Sequence, residues 1–163
     1  MVANSSFKPN PLRGRLNSDV RAHGTTMLVI SAINGPKDLE DAALRERASR
    51  GHGGRSCEFV AIVDGQEAGL LSYEDWREKS VGFIYEIYVL PLFRRQGIGE
   101  TLLKHGEEYA LALGCSLVQI KPYALDREPS TEQLADWYRR AGYLTTKEST
   151  EHLEKRIGEF GAL

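Results

Sequence analysis

Residues 81–114 read VGFIYEIYVLPLFRRQGIGETLLKHGEEYALALG, and no other stretch restricts the fold as tightly. The run 81–90 is β-branched and aromatic, and apolar on both alternating parities, as a central strand covered on both faces should be. Pro91 interrupts it, and a basic turn (Arg94, Arg95, Gln96, Gly97, Ile98, Gly99) opens directly into a helical pattern. Ile98, Leu102, Ala110 and Leu113 recur at helical spacing, Leu103 and Tyr109 widen the apolar face, and Gly114 stands where a C′ glycine belongs. Strand, glycine turn and helix N-terminus, in that order, present backbone N–H groups to a phosphate.

The flanking segments set the architecture. Residues 1–24 are rich in Asn, Ser, Pro, Gly and Arg, a composition that predicts a loose arm, with a partner-binding segment as the alternative. Residues 25–163 are long enough for one domain with its own core. A first strand is expected over 25–32 and a helix over 38–48, followed by a flexible loop at Gly51, Gly53 and Gly54. Strands over 58–63 and 67–73 flank Asp64-Gly65, a pair suited to a type I′ hairpin turn. A polar loop is expected over 75–80 and a strand over 115–120, which Pro122 ends. Ser130 and Gln133 form a capping box before the stripe Leu134, Trp137, Tyr138 and Ala141, which Gly142 ends. Short strands over 143–147 and 152–157 complete the chain. Hairpin neighbours should pair antiparallel, and the strand–helix–strand unit over 81–120 should be parallel through a right-handed crossover. The expected fold class is α/β (α+β): a mixed, mostly antiparallel sheet of about six to seven strands with a parallel central pair, flanked by helices on both faces.

Composition narrows the function classes. The net charge of −2 offers no basic field for nucleic acid, and no apolar run approaches the ~18 residues of a membrane span. Two cysteines, Cys57 and Cys115, make neither a disulfide framework nor a zinc spacing, so no metal is expected. The absence of a signal-peptide pattern and the few thiols fit a reduced, cytoplasmic setting.

Which phosphate ligand the turn takes follows from what it lacks. A dinucleotide fingerprint needs a third glycine where this chain has Leu102, and a Walker loop needs a Gly-Lys-Ser/Thr that is missing. What is left is a run of N–H groups from Arg95 to Glu100 around a pyrophosphate, with cationic support from Arg94 and Arg95. YEIYVLPLFRRQGIGE (85–100), the helix up to Gly114 and WYRRAGY (137–143) closely resemble the GNAT superfamily of acyl-CoA-dependent N-acetyltransferases. The shared pattern is aromatic-Val-x-Pro, then Arg/Gln-x-x-Gly-x-Gly/Ala, helix, strand, and a helix ending Tyr-x-x-x-Gly-Phe/Tyr.

The resemblance implies acetyl-CoA as cosubstrate, its pyrophosphate on the amides of Arg94, Arg95, Gln96, Gly97, Ile98, Gly99 and Glu100. Its pantetheine arm would follow the strand edge at Ile87, Tyr88 and Val89, in a slot where that strand and the next splay apart. The Val89 N–H would polarise the thioester carbonyl. Tyr138 matches the tyrosine that protonates the leaving thiolate, with packing beside Trp137 as the alternative. Glu86 is the only charged side chain in the strand 81–90, a costly placement unless it is paired or faces a cleft. It is expected either to bind the acceptor ammonium or relay its proton, or to sit in a salt bridge. Relatives carry an acid there or one position earlier, which here is Tyr85. Glu74 and Asp75 are further acids for a cationic acceptor. Ser130 or Thr131 stands where relatives often have an Asn that contacts the cofactor arm, and capping alone also explains them. Cys115 is expected as a small buried hydrophobe, and neither cysteine as a nucleophile. Lys104 and His105 are expected in solvent, with Lys104 near a 3′-phosphate. The reading is acetyl transfer from acetyl-CoA to a primary amine of a small-molecule or peptide acceptor by direct attack in a ternary complex. The alternative is a non-catalytic module of the same fold. Modest size favours a small-molecule acceptor, and a homodimer contact through the last strands and the N-terminal arm is open.

Overall fold

The computed structural model describes residues 20–21, 26–124 and 129–158. Its strands are β1 (Val20–Arg21), β2 (Met27–Ile33), β3 (Ser56–Val63), β4 (Gln66–Trp76), β5 (Val81–Val89), β6 (Leu117–Ile120), β7 (Leu144–Thr145) and β8 (Leu153–Arg156). The helices are α1 (Ala42–Gly51), α2 (Ile98–Ala112) and α3 (Thr131–Arg140). One sheet holds the strands in the order β1-β2-β3-β4-β5-β6-β8-β7. Every neighbouring pair is antiparallel except β5 and β6, the expected parallel pair. The two-residue β1 adds a strand to the expected count; the rest of the segment read as an arm lies outside the described residues.

Local chemistry explains most boundaries. Asp64 (φ 47°) and Gly65 (φ 81°) both take positive φ, as a type I′ turn requires, and close the β3–β4 hairpin. Gly114 (φ 84°) ends α2, and the Cys115 N–H returns to the Ala110 carbonyl at 3.0 Å. Ser130 and Gln133 form the reciprocal cap of α3.

Three expectations are corrected. The first helix begins at Ala42 rather than at 38, because a 3₁₀ turn occupies Pro36–Asp38 and Asp41 is the N-cap, accepting from the Leu44 N–H at 3.0 Å. The Glu67 carboxylate takes the N–H groups of Glu40 and Asp41, each at 2.8 Å, and so holds them outside the helix. Second, β4 continues to Trp76, so Glu74 and Asp75 belong to a strand and not to a loop. Asp75 is buried and pairs with the Arg77 guanidinium, while Glu74 accepts from the Trp76 indole at 3.0 Å. Third, His105 is buried rather than solvated: it shares the inward face of α2 with Leu102 and Tyr109 and lies edge-on to Phe59, centroids 4.7 Å apart. Burial lowers its pKa, because a charged imidazolium there would lose its hydration.

The sheet is covered on both sides. On one face α2 buries Leu102, Leu103, Tyr109 and Ala110 against Phe59, Leu71, Tyr73 and Ile84, and α3 brings in Tyr138. Each fully buried side chain of this size contributes about 1.5–3 kcal/mol from removal of apolar surface from water. On the other face α1 sets Leu44 and Ala48 against Ile33, Leu39, Val60 and Leu70. Strand β5 serves both faces: Ile84, Ile87 and Val89 point towards α2, and Tyr88, with Leu90 just after the strand, packs with the α1 cluster. Its apolar pattern on both parities has this cause.

One irregularity organises the site. In the β4–β5 ladder Tyr73 pairs with Ile84 and Ser72 with Glu86, leaving Tyr85 as the extra residue of a bulge. A bulge bends its strand and strengthens its twist. Pairing of β5 with β6 stops one residue earlier, at Ile84 and Ile120. Beyond that point the edge of β5 has no strand partner among the described residues.

Candidate active site

A cleft of about 310 Å³ opens where the parallel pairing ends. Phe83, Tyr85, Glu86 and Ile87 form its β5 wall, Ile120 to Tyr123 the wall that follows β6, and Leu134 and Tyr138 the wall from α3. The bulge at Tyr85 turns Glu86 onto the α1 face with Tyr88 and leaves Ile87 on the α2 face, so both contribute to the same opening.

Tyr138 is buried in the α3 stripe, edge-on to Trp137 (4.9 Å) and to Tyr143 (5.8 Å). Packing and cleft-lining therefore coexist in one side chain. Burial, and secondarily the Glu86 carboxylate, push its phenol above the ordinary tyrosine range, so it stays protonated at neutral pH. Its hydroxyl makes no hydrogen bond among the described residues.

Glu86 forms a salt bridge with Arg47 of α1, both side chains only 9% exposed. The Arg47 guanidinium also stacks on the Tyr88 ring, 3.5 Å from its centroid. The salt bridge is the alternative the sequence left open, and it coexists with a position in the cleft wall. Arg47 itself escaped the sequence reading. Its one signal is position: it follows Leu44 by three residues and precedes Ala48, in the buried stripe of α1, where an arginine needs a buried anion.

The turn after β5 begins with Arg94, whose Nε donates to the Val89 carbonyl at 3.0 Å and whose guanidinium lies 5.5 Å from the Tyr88 ring centroid. Its own N–H points back to the Pro91 carbonyl at 3.4 Å. Arg95 (φ 63°) and Gly97 (φ 77°) then take left-handed backbone, and the first helical hydrogen bond runs from the Thr101 N–H to the Gly97 carbonyl at 3.1 Å. The N–H groups of Ile98, Gly99 and Glu100 consequently have no acceptor in α2. Arg95, Gln96 and Gly97 also donate to no backbone acceptor among the described residues. Six consecutive amides from Arg95 to Glu100 thus lie beside the positive end of a helix dipole. Gly99 faces Trp137 of α3, whose ring would lie 3.5 Å from a Cβ at that position. A more open hollow of about 460 Å³ runs along Gln96, Gly97, Glu100 and Lys104, with the Lys104 ammonium 3.9 Å from Glu108.

The edge of β5 completes the arrangement. The Leu90 N–H donates to the Ala68 carbonyl of β4 at 2.8 Å, so alternation along the strand turns the Val89 N–H to the other side, where β6 no longer pairs. Ile87 and Val89 pack their side chains towards α2. Thr131 accepts from the Ala124 N–H at 3.1 Å, and Ser130 is engaged in the cap. Cys57 and Cys115 are both buried, Cys57 against the Tyr109 hydroxyl at 3.3 Å. No group of three or more His, Cys, Asp or Glu among the described residues has a metal-binding arrangement. No described helix is long and apolar enough to cross a membrane.

Among the described residues the site combines a cradle of amides without a backbone acceptor, a strand edge without a strand partner and a protonated phenol in the cleft between them. The chain is similar to several known proteins. A protein from Archaeoglobus fulgidus named as an uncharacterised N-acetyltransferase is 42% identical over 58 residues, 32% of this chain and 40% of that protein. The thialysine N-epsilon-acetyltransferase of Bos taurus is 33% identical over 70 residues, 43% of this chain and 34% of that protein. The matches thus span well under half of either relative. Among solved structures, a GNAT family acetyltransferase from Elizabethkingia anophelis with acetyl-CoA bound superposes with a TM-score of 0.57 at 19% identity, covering 80% of this chain and 98% of that one. The family described as Acetyltransferase (GNAT) family matches residues 29–143, from within β2 through the end of α3, and with that match the chain belongs to the GNAT family of acetyltransferases.

Proposed function

We propose that the protein transfers the acetyl group of acetyl-CoA to a primary amine by direct attack in a ternary complex. The observation that carries this reading is the run of six amides from Arg95 to Glu100 at the start of α2, continuous with the β5 edge that no described strand pairs. Those amides suit a pyrophosphate, and the edge at Ile87 and Val89 suits an extended pantetheine arm. Acetyl-CoA supplies the activated thioester. The Val89 N–H donates to its carbonyl oxygen, where negative charge grows during attack. Tyr138 donates its phenolic proton to the departing sulfur; its raised pKa keeps that proton in place until it is needed. Arg47 holds Glu86 at the cleft wall, where its carboxylate faces the incoming ammonium.

The cleft walls favour a small acceptor. Tyr85, Phe83 and Tyr123 make them aromatic, and Lys121 at the rim is occupied by Glu151 at 2.7 Å. A flexible aliphatic amine would pass such walls and meet Glu86, and the thialysine acetyltransferase among the relatives is named for an acceptor of that kind. The test is thiol release from acetyl-CoA with a panel of thialysine, lysine, a diamine, an aminoglycoside and a peptide N-terminus. Acetylation of at least one amine is expected. Binding of acetyl-CoA with no acetylated amine would favour a non-catalytic module instead.

A further inference from the structure

Across the α1 face of the sheet, three polar residues stand in one lateral row: Glu58 on β3 pairs with Ser72 on β4, and Ser72 pairs with Glu86 on β5. Directly opposed residues of this kind bring their Cβ atoms to about 4.5–5.5 Å. Glu58 and Ser72 are each only 1% exposed, and the Glu58 Oε2 and Ser72 Oγ atoms are buried without a hydrogen-bond partner. Two buried polar atoms without partners are costly, and hydrogen-bonding capacity at that price points to use. The other carboxylate oxygen of Glu58 lies 3.1 Å from Nδ1 of His52, which sits in the loop after α1 with its side chain 43% exposed. The row therefore runs from the cleft wall to solvent. The remaining charged and titratable groups around it come from α1 (Arg47, Arg50), β4 (Glu74), β5 (Tyr85) and α3 (Tyr138).

We infer that Glu86, Ser72, Glu58 and His52 form a proton exit path that carries the acceptor's ammonium proton from the cleft to solvent. The inference rests on the acetyl-transfer reading, because only an amine acceptor brings a proton that must leave before attack. Glu86 takes a proton from R–NH₃⁺, giving R–NH₂. Through a bridging water on each side, the Ser72 hydroxyl accepts it and passes its own proton to Glu58. Glu58 protonates Nδ1 of a neutral His52 whose Nε2 carries the hydrogen, and His52 releases a proton to bulk water. Each carboxylate returns to its charged form, and the net change is one proton moved from ammonium to solvent.

The test uses the full chain, acetyl-CoA and the fastest amine of the panel above. Three readouts are compared: the pH profile of kcat/KM, rescue by added imidazole, and thermal stability. Ser72→Ala deletes a buried hydroxyl without a partner, so its melting temperature is expected to hold or rise, while kcat/KM near pH 6.5 falls about tenfold. His52→Ala is expected to lose about the same factor and to recover with millimolar imidazole, which can occupy the solvent end of the path. Imidazole is expected not to rescue Ser72→Ala, whose break is internal. A purely structural role for the row predicts wild-type pH profiles for both variants, or a His52→Ala defect that imidazole leaves unchanged; either result overturns the path. An active wild type with those outcomes leaves acetyl transfer standing, whereas a wild type that acetylates no amine removes both.

Discussion

The two faces of β5 build their halves of the site from different materials. In the proposed reading the working groups on the α2 face are main-chain amides, from Arg95 to Glu100 and at Val89, placed by a turn, a helix end and a strand edge. On the α1 face they are side chains, Arg47, Glu58, Ser72 and Glu86, drawn from a helix and three strands far apart in sequence. A main-chain cradle is specified by local conformation and tolerates many side chains. A side-chain row depends on register, burial and charge balance, and one substitution unbalances it. In the proposed reading the first arrangement serves acetyl-CoA. The second serves the acceptor.

That contrast can be strained from either side. Tyr138→Phe is expected to have the largest effect: the ring keeps its contacts with Trp137 and Tyr143, but kcat falls about 10²-fold or more while acetyl-CoA affinity stays within about twofold. Steady-state kinetics with calorimetric binding reads both; an unchanged kcat removes Tyr138 from the acid role. Next comes Arg47→Met, which leaves Glu86 without its buried guanidinium and is expected to cost about 3–5 kcal/mol in urea unfolding. The double variant Arg47→Met with Glu86→Gln should recover most of that loss. Full stability in the single variant would show that the α1 face does not depend on charge balance. The smallest effect concerns the α2 face. His105 is held neutral by burial, so the unfolded chain binds a proton there that the folded chain does not, and stability is intact above the unfolded pKa near 6.5 and falls below it. The slope is at most about 1.4 kcal/mol per pH unit, and His105→Met should flatten it in denaturant titrations between pH 7 and 5.

The same contrast explains what could be read in the chain. Gly97, Gly99 and the Val-x-Pro before them are local signals, so the strand, the turn, α2 and the cradle were legible in order. The Asp64-Gly65 turn and the Ser130 cap were legible for the same reason: each motif needs only its own few residues. Arg47 and Glu58 were not, because their meaning depends on partners in Glu86 and Ser72 that register alone supplies. The start of α1 was misread because Glu67, a distant strand residue, captures the amides that would have continued the helix. His105 looked like a surface residue because a polar side chain between Leu102 and Tyr109 gives no sign that α2 is covered there. The bulge at Tyr85, on which the cleft depends, leaves no mark of its own in the sequence, where no glycine or proline stands beside it.

The central claim is that the amides of the turn after β5 hold the pyrophosphate of acetyl-CoA, and calorimetric titration of acetyl-CoA into the wild type and Gln96→Glu tests it most directly. Gln96 is exposed, so an isosteric negative charge there leaves the fold intact and opposes only an anion in the cradle. The account predicts one-to-one binding to the wild type, weakened about threefold to tenfold in Gln96→Glu. No heat from the wild type at millimolar acetyl-CoA, or equal affinity in the two proteins, would contradict it.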